Sequence, residues 1–262
     1  NLFEIIPITD PGTINYSLLK NGPVYSFLEN DSSTWLSKRF VSTFEMDKNY
    51  KLKQFYKSFY PLSSTLSSQN GYAYDFFKKD QELFITTDSG LVVYNLKNKS
   101  SSIFFPDQFI TGIGLRTIVP FSNNELMIRS YERGIFIFNT SQKKFTRRYS
   151  SNNNCKDCLP TRLNYLFKTS KNEIYASTAD GNKSLLKYQP VPDSFTTVKA
   201  LNDSLYLMQA NKLYGMDEDS DGHLWITSSA GLFIYDPASN RILKQVVENK
   251  EIGGLFRICF DR

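Results

Sequence analysis

Three groups of residues in this 262-residue chain have side chains and spacings that could do chemistry. Asp217-x-Asp219-x-Asp221-Gly222 matches the opening of a calcium loop, in which alternate carboxylates converge on a hard cation. Such a loop takes a bidentate carboxylate at its twelfth position, and counting from Asp217 that position is Ser228. The run therefore reads as a tight turn whose Asp side chains accept backbone N–H groups. Cys155-Lys156-Asp157-Cys158 is a lone C-x-x-C. Structural zinc wants four such ligands, and the chain adds only Cys259 and His223, both in other repeats. A thioredoxin-like role would need a βαβ setting, which the surroundings lack. The pair Cys155 and Cys158 is left as a loop-closing disulfide in an oxidising compartment, or as free thiols. Cys259, between Ile258 and Phe260, reads as a small buried residue. His223 is the sole histidine, so neither a two-histidine metal site nor a histidine acid–base pair can be built from this chain. No G-x-S-x-G nucleophile turn occurs. No catalytic residue, metal or cofactor is expected, and the chain reads as a binder, not an enzyme.

Composition narrows the partners. The net charge is +5, from 31 Lys and Arg against 26 Asp and Glu, and the basic residues are spread along the chain. A nucleic-acid binder would concentrate them in a stripe, so nucleic acid is not expected as a partner. No stretch approaches the ~20 apolar residues of a membrane helix, so any membrane contact is expected through segments outside this sequence. Asn1-Leu2-Phe3-Glu4 carries no Met and no basic-then-apolar leader; any targeting segment is expected to have been removed already.

The elements that would position a site repeat along the chain. Each unit has a short apolar strand, a polar turn, a second strand with a bulky central residue, and a third strand often led by Gly. The clearest copy runs Leu213-Tyr214-Gly215-Met216, the Asp-rich turn, His223-Leu224-Trp225-Ile226-Thr227, then Gly231-Leu232-Phe233-Ile234-Tyr235-Asp236. Others centre on Glu82–Thr86 with Gly90–Asn95, Glu125–Arg129 with Gly134–Asn139, and Glu173–Ser177 with Ser184–Tyr188. The most degenerate is Thr34–Ser37 with Val41–Glu45. The bulky residues Trp35, Phe84, Met127, Tyr175 and Trp225 stand 49, 43, 48 and 50 positions apart. A period near 40–50 with four short strands per unit is the signature of a β-propeller. Fourth strands are expected at Leu52–Tyr56, Ser102–Phe105, Lys143–Tyr149, Phe195–Ala200 and Ile242–Val247. The predicted fold is all-β: a single β-propeller segment of about five four-stranded blades, at 22–60, 72–106, 114–150, 161–201 and 211–248. Leu2–Ile8 and Leu255–Arg262 read as partial blades at the two ends, part of a larger propeller array. Uncovered sheet faces would favour self-association, as a dimer or by strand exchange.

The string Asp219-Ser220-Asp221-Gly222-His223-Leu224-Trp225-Ile226-Thr227, followed by Gly231-Leu232-Phe233-Ile234-Tyr235-Asp236, resembles the two-component regulator propeller repeat. That repeat reads D-x-x-G-x-L-W-I-G-T-x-x-G-L-x-x-Y-D, and Ser228 stands where small residues vary. The units at 82–95, 125–139 and 173–188 match in their strand cores and lack the turn Gly, and the unit at 34–45 keeps the Trp. The resemblance implies an extracytoplasmic, periplasmic sensor region of a bacterial hybrid histidine kinase, ahead of a membrane helix and a cytoplasmic kinase. It also implies an oligosaccharide as ligand, as several members of the family sense glycan fragments.

Propellers bind on the face where loops converge near the axis. In this repeat those are the loops between second and third strands and the entries to first strands. The candidates are Lys38, Arg39, Asp88, Tyr131, Arg133 and Asp180 from the former, and Tyr72, Arg116, Asn164, Lys212 and Arg257 from the latter. Aromatic rings stack on sugars and guanidinium forks pair with hydroxyls or carboxylates. Two other readings remain open at this point: a protein–protein scaffold, and a propeller-fold glycan lyase or hydrolase.

Overall fold

In the computed structural model the described residues are 24–29, 32–38, 42–49, 51–56, 72–106, 114–150, 159–179, 184–199 and 212–247. They form five four-stranded antiparallel sheets, each with its strands in chain order. The first holds β1 (Val24–Glu29), β2 (Thr34–Lys38), β3 (Ser42–Met46) and β4 (Leu52–Tyr56). The second holds β5 (Asp75–Lys79), β6 (Glu82–Thr86), β7 (Leu91–Asn95) and β8 (Ser101–Phe104). The third holds β9 (Leu115–Ser122), β10 (Glu125–Ser130), β11 (Ile135–Asn139) and β12 (Lys144–Tyr149). The fourth holds β13 (Leu163–Lys168), β14 (Ile174–Thr178), β15 (Leu185–Gln189) and β16 (Ser194–Thr197). The fifth holds β17 (Leu213–Glu218), β18 (Leu224–Ser228), β19 (Gly231–Asp236) and β20 (Arg241–Val247). These are β-propeller blades, the fold that the repeat predicts. The fourth strand expected at Phe195–Ala200 is described at Ser194–Thr197, with Val198 N–H donating to Leu185 O at 3.0 Å just beyond it and Ala200 outside the described residues.

The chain divides into two compact units, 1–116 and 117–262, and the first two residues of β9 belong to the first. Each unit is built by the same two devices.

The first device is apolar. Strands two and three of the second and third sheets are paired on both edges and buried along most of their length, so they read as continuous apolar runs and not as alternating ones. Leu83-Phe84-Ile85, Leu126-Met127-Ile128 and Ile135–Phe138 are all buried. In three of the sheets the bulky second-strand residue packs forward along the chain. In the first unit Trp35 packs in one cluster with Ala73, Phe76, Leu83 and Val92 of the next sheet. In the second unit Met127 shares a cluster with Leu163 and Leu166, and Tyr175 with Leu213 and Met216. A buried ring removes ~150–250 Å² from water, about 4–6 kcal/mol each at ~25 cal/mol per Å².

The second device is polar and sits two residues further on. The Ser37 hydroxyl donates to the carbonyl of Ala73, and Thr86 donates to that of Arg116. Arg129 donates through Nη1 to Leu163, and Ser177 donates to Tyr214 at 2.7 Å. All four donors are buried. Each satisfies a carbonyl at or just before the start of a following first strand.

Turns follow their residue types. Asp80 and Asn172, in the turns between first and second strands, take φ of 52° and 64°, which Asp and Asn tolerate best among residues with a Cβ. Gly90 explains why Gly leads a third strand: a Cβ there would stand 2.6 Å from the carbonyl oxygen of Phe104.

Candidate functional site

Antiparallel pairing puts the entry of each first strand beside the exit of its second strand. Val24 pairs with Lys38, Asp75 with Thr86, Leu163 with Thr178, and Leu213 with Ser228. The loops named from the sequence therefore share one end of each sheet.

Among the described residues, a polar cluster at that end lies in the first unit. The Tyr74 hydroxyl donates to Asp88 Oδ2 at 2.8 Å, and Arg116 Nη1 stands 3.0 Å from Asp88 Oδ1. The Arg116 guanidinium carbon lies 3.5 Å from the centre of the Tyr74 ring, a cation–π contact over its face. Backbone bonds hold the three in place. Tyr74 N–H donates to Thr86 O at 2.9 Å, and Gly114 N–H to Asp88 O at 2.8 Å. Leu115 N–H donates to Thr87 O at 3.0 Å. Thr87 closes the turn ahead of β7, exchanging bonds between its Oγ1 and the backbone of Gly90. Gly114 sits at φ 58° with the Arg116 guanidinium 3.4 Å from the place of its missing Cβ. The result is a pre-set carboxylate and guanidinium side by side, with the Asp88 side chain 44% exposed and that of Arg116 23%.

Of the residues that the sequence singles out, Arg116 and Asp88 are brought together here. Tyr74 is the third member and was not among them; Tyr72, two positions earlier, was. Tyr72 is half-buried. Lys38 ends β2 in a buried position, and that burial lowers its ammonium below the ordinary 10.5. In the second unit Tyr131 is half exposed on the turn between β10 and β11. Arg133 is fixed there by its backbone: its N–H donates to Ser130 Oγ at 2.7 Å, and its carbonyl accepts from Arg148 Nε at 2.9 Å. Asn164 spends its amide on the Leu213 carbonyl, at 2.5 Å. Lys212 is exposed, and its carbonyl accepts from Ser229 N–H at 2.9 Å. Arg39, Asp180, Arg257, Cys155 and Cys158 lie outside the described residues.

The Asp-rich turn occupies the other end of its sheet. Asp219 Oδ1 accepts from the N–H of Asp221 at 3.0 Å and of His223 at 2.9 Å, and Oδ2 accepts from the Trp225 indole at 2.8 Å. His223 Nδ1 lies 3.4 Å from Oδ2. Partial burial would raise the Asp219 carboxyl, but the donors from Trp225, His223 and Asp221 outweigh it and hold the carboxyl below its ordinary 3.8. This is the side-chain-capped turn expected from the sequence.

Comparison with known proteins supports the fold class. The chain matches no protein-family model and no curated protein. Its structure is similar to the extracellular domain of the putative hybrid two component system BT4673 from B. thetaiotaomicron, with a TM-score of 0.64 and 22% identity over 86% of this chain. It is also similar to the extracellular domain of the putative hybrid two component system BT3049 from the same organism, at 0.64 and 17% over 85%. A computationally designed protein, Ika8, aligns over 92% of this chain and 66% of its own at a TM-score of 0.59 and 9% identity. The chain spans 28% and 30% of the length of the two sensor domains.

Proposed function

We propose that this chain is part of the extracytoplasmic ligand-sensing region of a two-component signalling receptor, and that its ligand is an oligosaccharide. The observation that carries the ligand class is the Asp88–Arg116 pair, held 3.0 Å apart by Tyr74 and by the backbone around Gly114. A sugar hydroxyl both donates and accepts. A carboxylate that accepts beside a guanidinium that donates suits neighbouring hydroxyls on one ring. The Tyr74 ring face is already taken by Arg116, so recognition here runs through hydrogen bonds. The sensor role is supported by the repeat at 219–236 and by fold neighbours described as extracellular domains of putative hybrid two component systems. A sensor needs differential binding between two receptor geometries and no turnover.

The test is titration calorimetry of the 262-residue chain against neutral and acidic oligosaccharides, with Asp88→Asn and Arg116→Lys as variants. Binding weakened about tenfold or more by either variant is the expected result, since each removes a charge-assisted bond worth roughly 1.5–3 kcal/mol. Binding that both variants leave unchanged overturns the assignment of this site. No binding by any sugar shifts the reading to a protein-binding scaffold.

A further inference from the structure

Both units gather two phenols and a cation around a carboxylate, but they draw the carboxylate from different places. In the first unit Tyr56, at the end of β4, and Tyr94 of β7 set their rings edge-on at 5.6 Å, with their hydroxyls 3.3 Å apart. The Tyr56 hydroxyl donates to Glu45 Oε2 at 3.0 Å, and Lys53 Nζ stands 3.2 Å from Oε1. In the second unit Tyr149, at the end of β12, and Tyr188 of β15 set their rings edge-on at 6.2 Å. Their hydroxyls donate to Asp193 Oδ1, Tyr149 at 2.6 Å and Tyr188 at 2.5 Å, and Arg147 Nη1 stands 2.5 Å from Oδ2.

Strand register shows what has changed. Thr43 pairs with Tyr56 and Glu45 with Gln54, while Ile135 pairs with Tyr149 and Ile137 with Arg147. Ile137 therefore stands where Glu45 stands, and it is buried in an apolar cluster. Glu45 is buried in β3 and laddered on both sides, to Trp35 and to Gln54, so the first unit's acceptor cannot leave. Asp193 comes instead from the turn that joins β15 to β16. Val191 in that turn is 89% exposed, the Asp193 side chain is 44% exposed, and the Asp193 backbone sits in the left-handed region at φ 62°.

The donors, by contrast, are held by strands and rings. Phe121 lies edge-on to Tyr188 at 5.3 Å, and Phe195 contacts Tyr149 at 5.7 Å and Tyr188 at 5.5 Å. The Arg147 guanidinium carbon lies 5.4 Å from the centre of the Phe121 ring, and its Nη2 stands 3.9 Å from Glu125 Oε2. A phenol or guanidinium that donates to an ionised carboxylate makes a charge-assisted bond. Tyr149 first, then Tyr188 and Arg147, hold the Asp193 carboxyl below its ordinary 3.8, so the three donors favour an anion.

We propose that Arg147, Tyr149 and Tyr188 are a binding site for a small carboxylate-bearing ligand, an organic acid or a sugar acid, which enters by displacing the Asp193 side chain. One carboxylate replaces another, so the donors keep an anionic acceptor throughout, and the released Asp193 carboxylate goes to water from a turn already exposed. The chain's own Asp193 is then an internal competitor that lowers the apparent affinity for any external acid.

The test is a magnetic resonance titration of the full chain at pH 7 and constant ionic strength, following the amides of Val191, Asp193 and Ser194. The probes are sodium acetate, D-glucuronate and, as the uncharged control, D-glucose. Saturable shifts with the two acids and none with glucose are expected. Asp193→Ala is expected to bind the acids about tenfold or more tightly than the natural chain, because the competitor is gone. Adding Tyr149→Phe is expected to abolish that gain, which a merely non-specific attraction to Arg147 would survive. Asp193→Asn, which keeps the side chain's shape and weakens it as an acceptor, gives the same comparison if the alanine variant does not fold. Tighter binding of glucuronate than of acetate makes a sugar acid the source of the carboxylate, and the reverse order makes it a simple organic acid. The proposal is overturned if neither acid gives saturable shifts, if glucose moves the same amides as far, or if neither Asp193 variant binds more tightly than the natural chain.

Discussion

Trp35 in the first sheet and Trp225 in the fifth hold the same place in their repeats, and each sends its indole N–H back to the preceding turn. Trp35 reaches Ser33 Oγ at 3.1 Å, and Trp225 reaches Asp219 Oδ2 at 2.8 Å. Trp35 is fully enclosed, stacked on Tyr56 at 5.2 Å and edge-on to Tyr94 at 6.2 Å. Trp225 keeps part of its surface. The residue type and the strand are the same, so the difference comes from the surroundings: Trp35 is covered by Tyr56 of its own sheet and by Ala73, Phe76 and Tyr94 further along the chain. A propeller repeat is stabilised through its neighbours, and a strong local match to the repeat does not by itself make a well-covered position. The copy nearest the repeat consensus, at 219–236, is the one with the less buried Trp.

The comparison sharpens first through cavities. Trp35→Ala is expected to cost about 3–5 kcal/mol, and Trp225→Ala clearly less, by denaturant unfolding followed by circular dichroism. Equal costs would mean that both indoles are equally enclosed in solution. Ser37→Ala comes next, at about 1–3 kcal/mol, because it strips a buried carbonyl at Ala73 of its donor. Ser33→Ala should cost less, about 0.5–1.5 kcal/mol, as it removes one neutral bond to the Trp35 indole. The smallest effect is a difference in acid response. Asp219 has a folded-state carboxyl below 3.8, so its contribution is complete above 3.8 and is lost as pH falls through the lower folded value. Below that point Trp225 loses an anionic acceptor while the Ser33 hydroxyl beside Trp35 does not titrate. Fluorine resonances of the chain labelled with 5-fluorotryptophan, followed from pH 5 downward, should show Trp225 moving first, and Asp219→Asn should remove that early movement.

Much of the fold was legible because the signal was redundant. Runs such as Leu83-Phe84-Ile85 are too short for helices and are bounded by Asp, Asn and Ser turns, and they recur at a propeller period. The Asp219 turn was legible too, because an Asp that caps its own turn is a local event. What stayed hidden depends on neighbours far away in sequence. Arg129 looks like a charge breaking an apolar strand; its partner is the carbonyl of Leu163, 34 residues on. Asn164 reads as a loop-face donor, but its amide goes to Leu213, 49 residues on. Tyr74 was missed because the entry to β5 looks irregular from sequence. Its place is fixed by the bond from its N–H to Thr86 and by a guanidinium from beyond β8. Within-strand periodicity carries no information about such contacts.

The buried donors that reach from one sheet to the next have a consequence for how the chain is made. Ser37 is synthesised 36 residues before the carbonyl it serves, and Ser177 37 residues before Tyr214. A ribosome therefore releases the first and the fourth sheet with one hydroxyl still lacking its acceptor and one large side chain, Trp35 or Tyr175, still uncovered. Both are satisfied as the next inner strand emerges. The growing protein is always one strand short of comfort at its newest end, which gives the order of assembly a direction that the finished sheets no longer display.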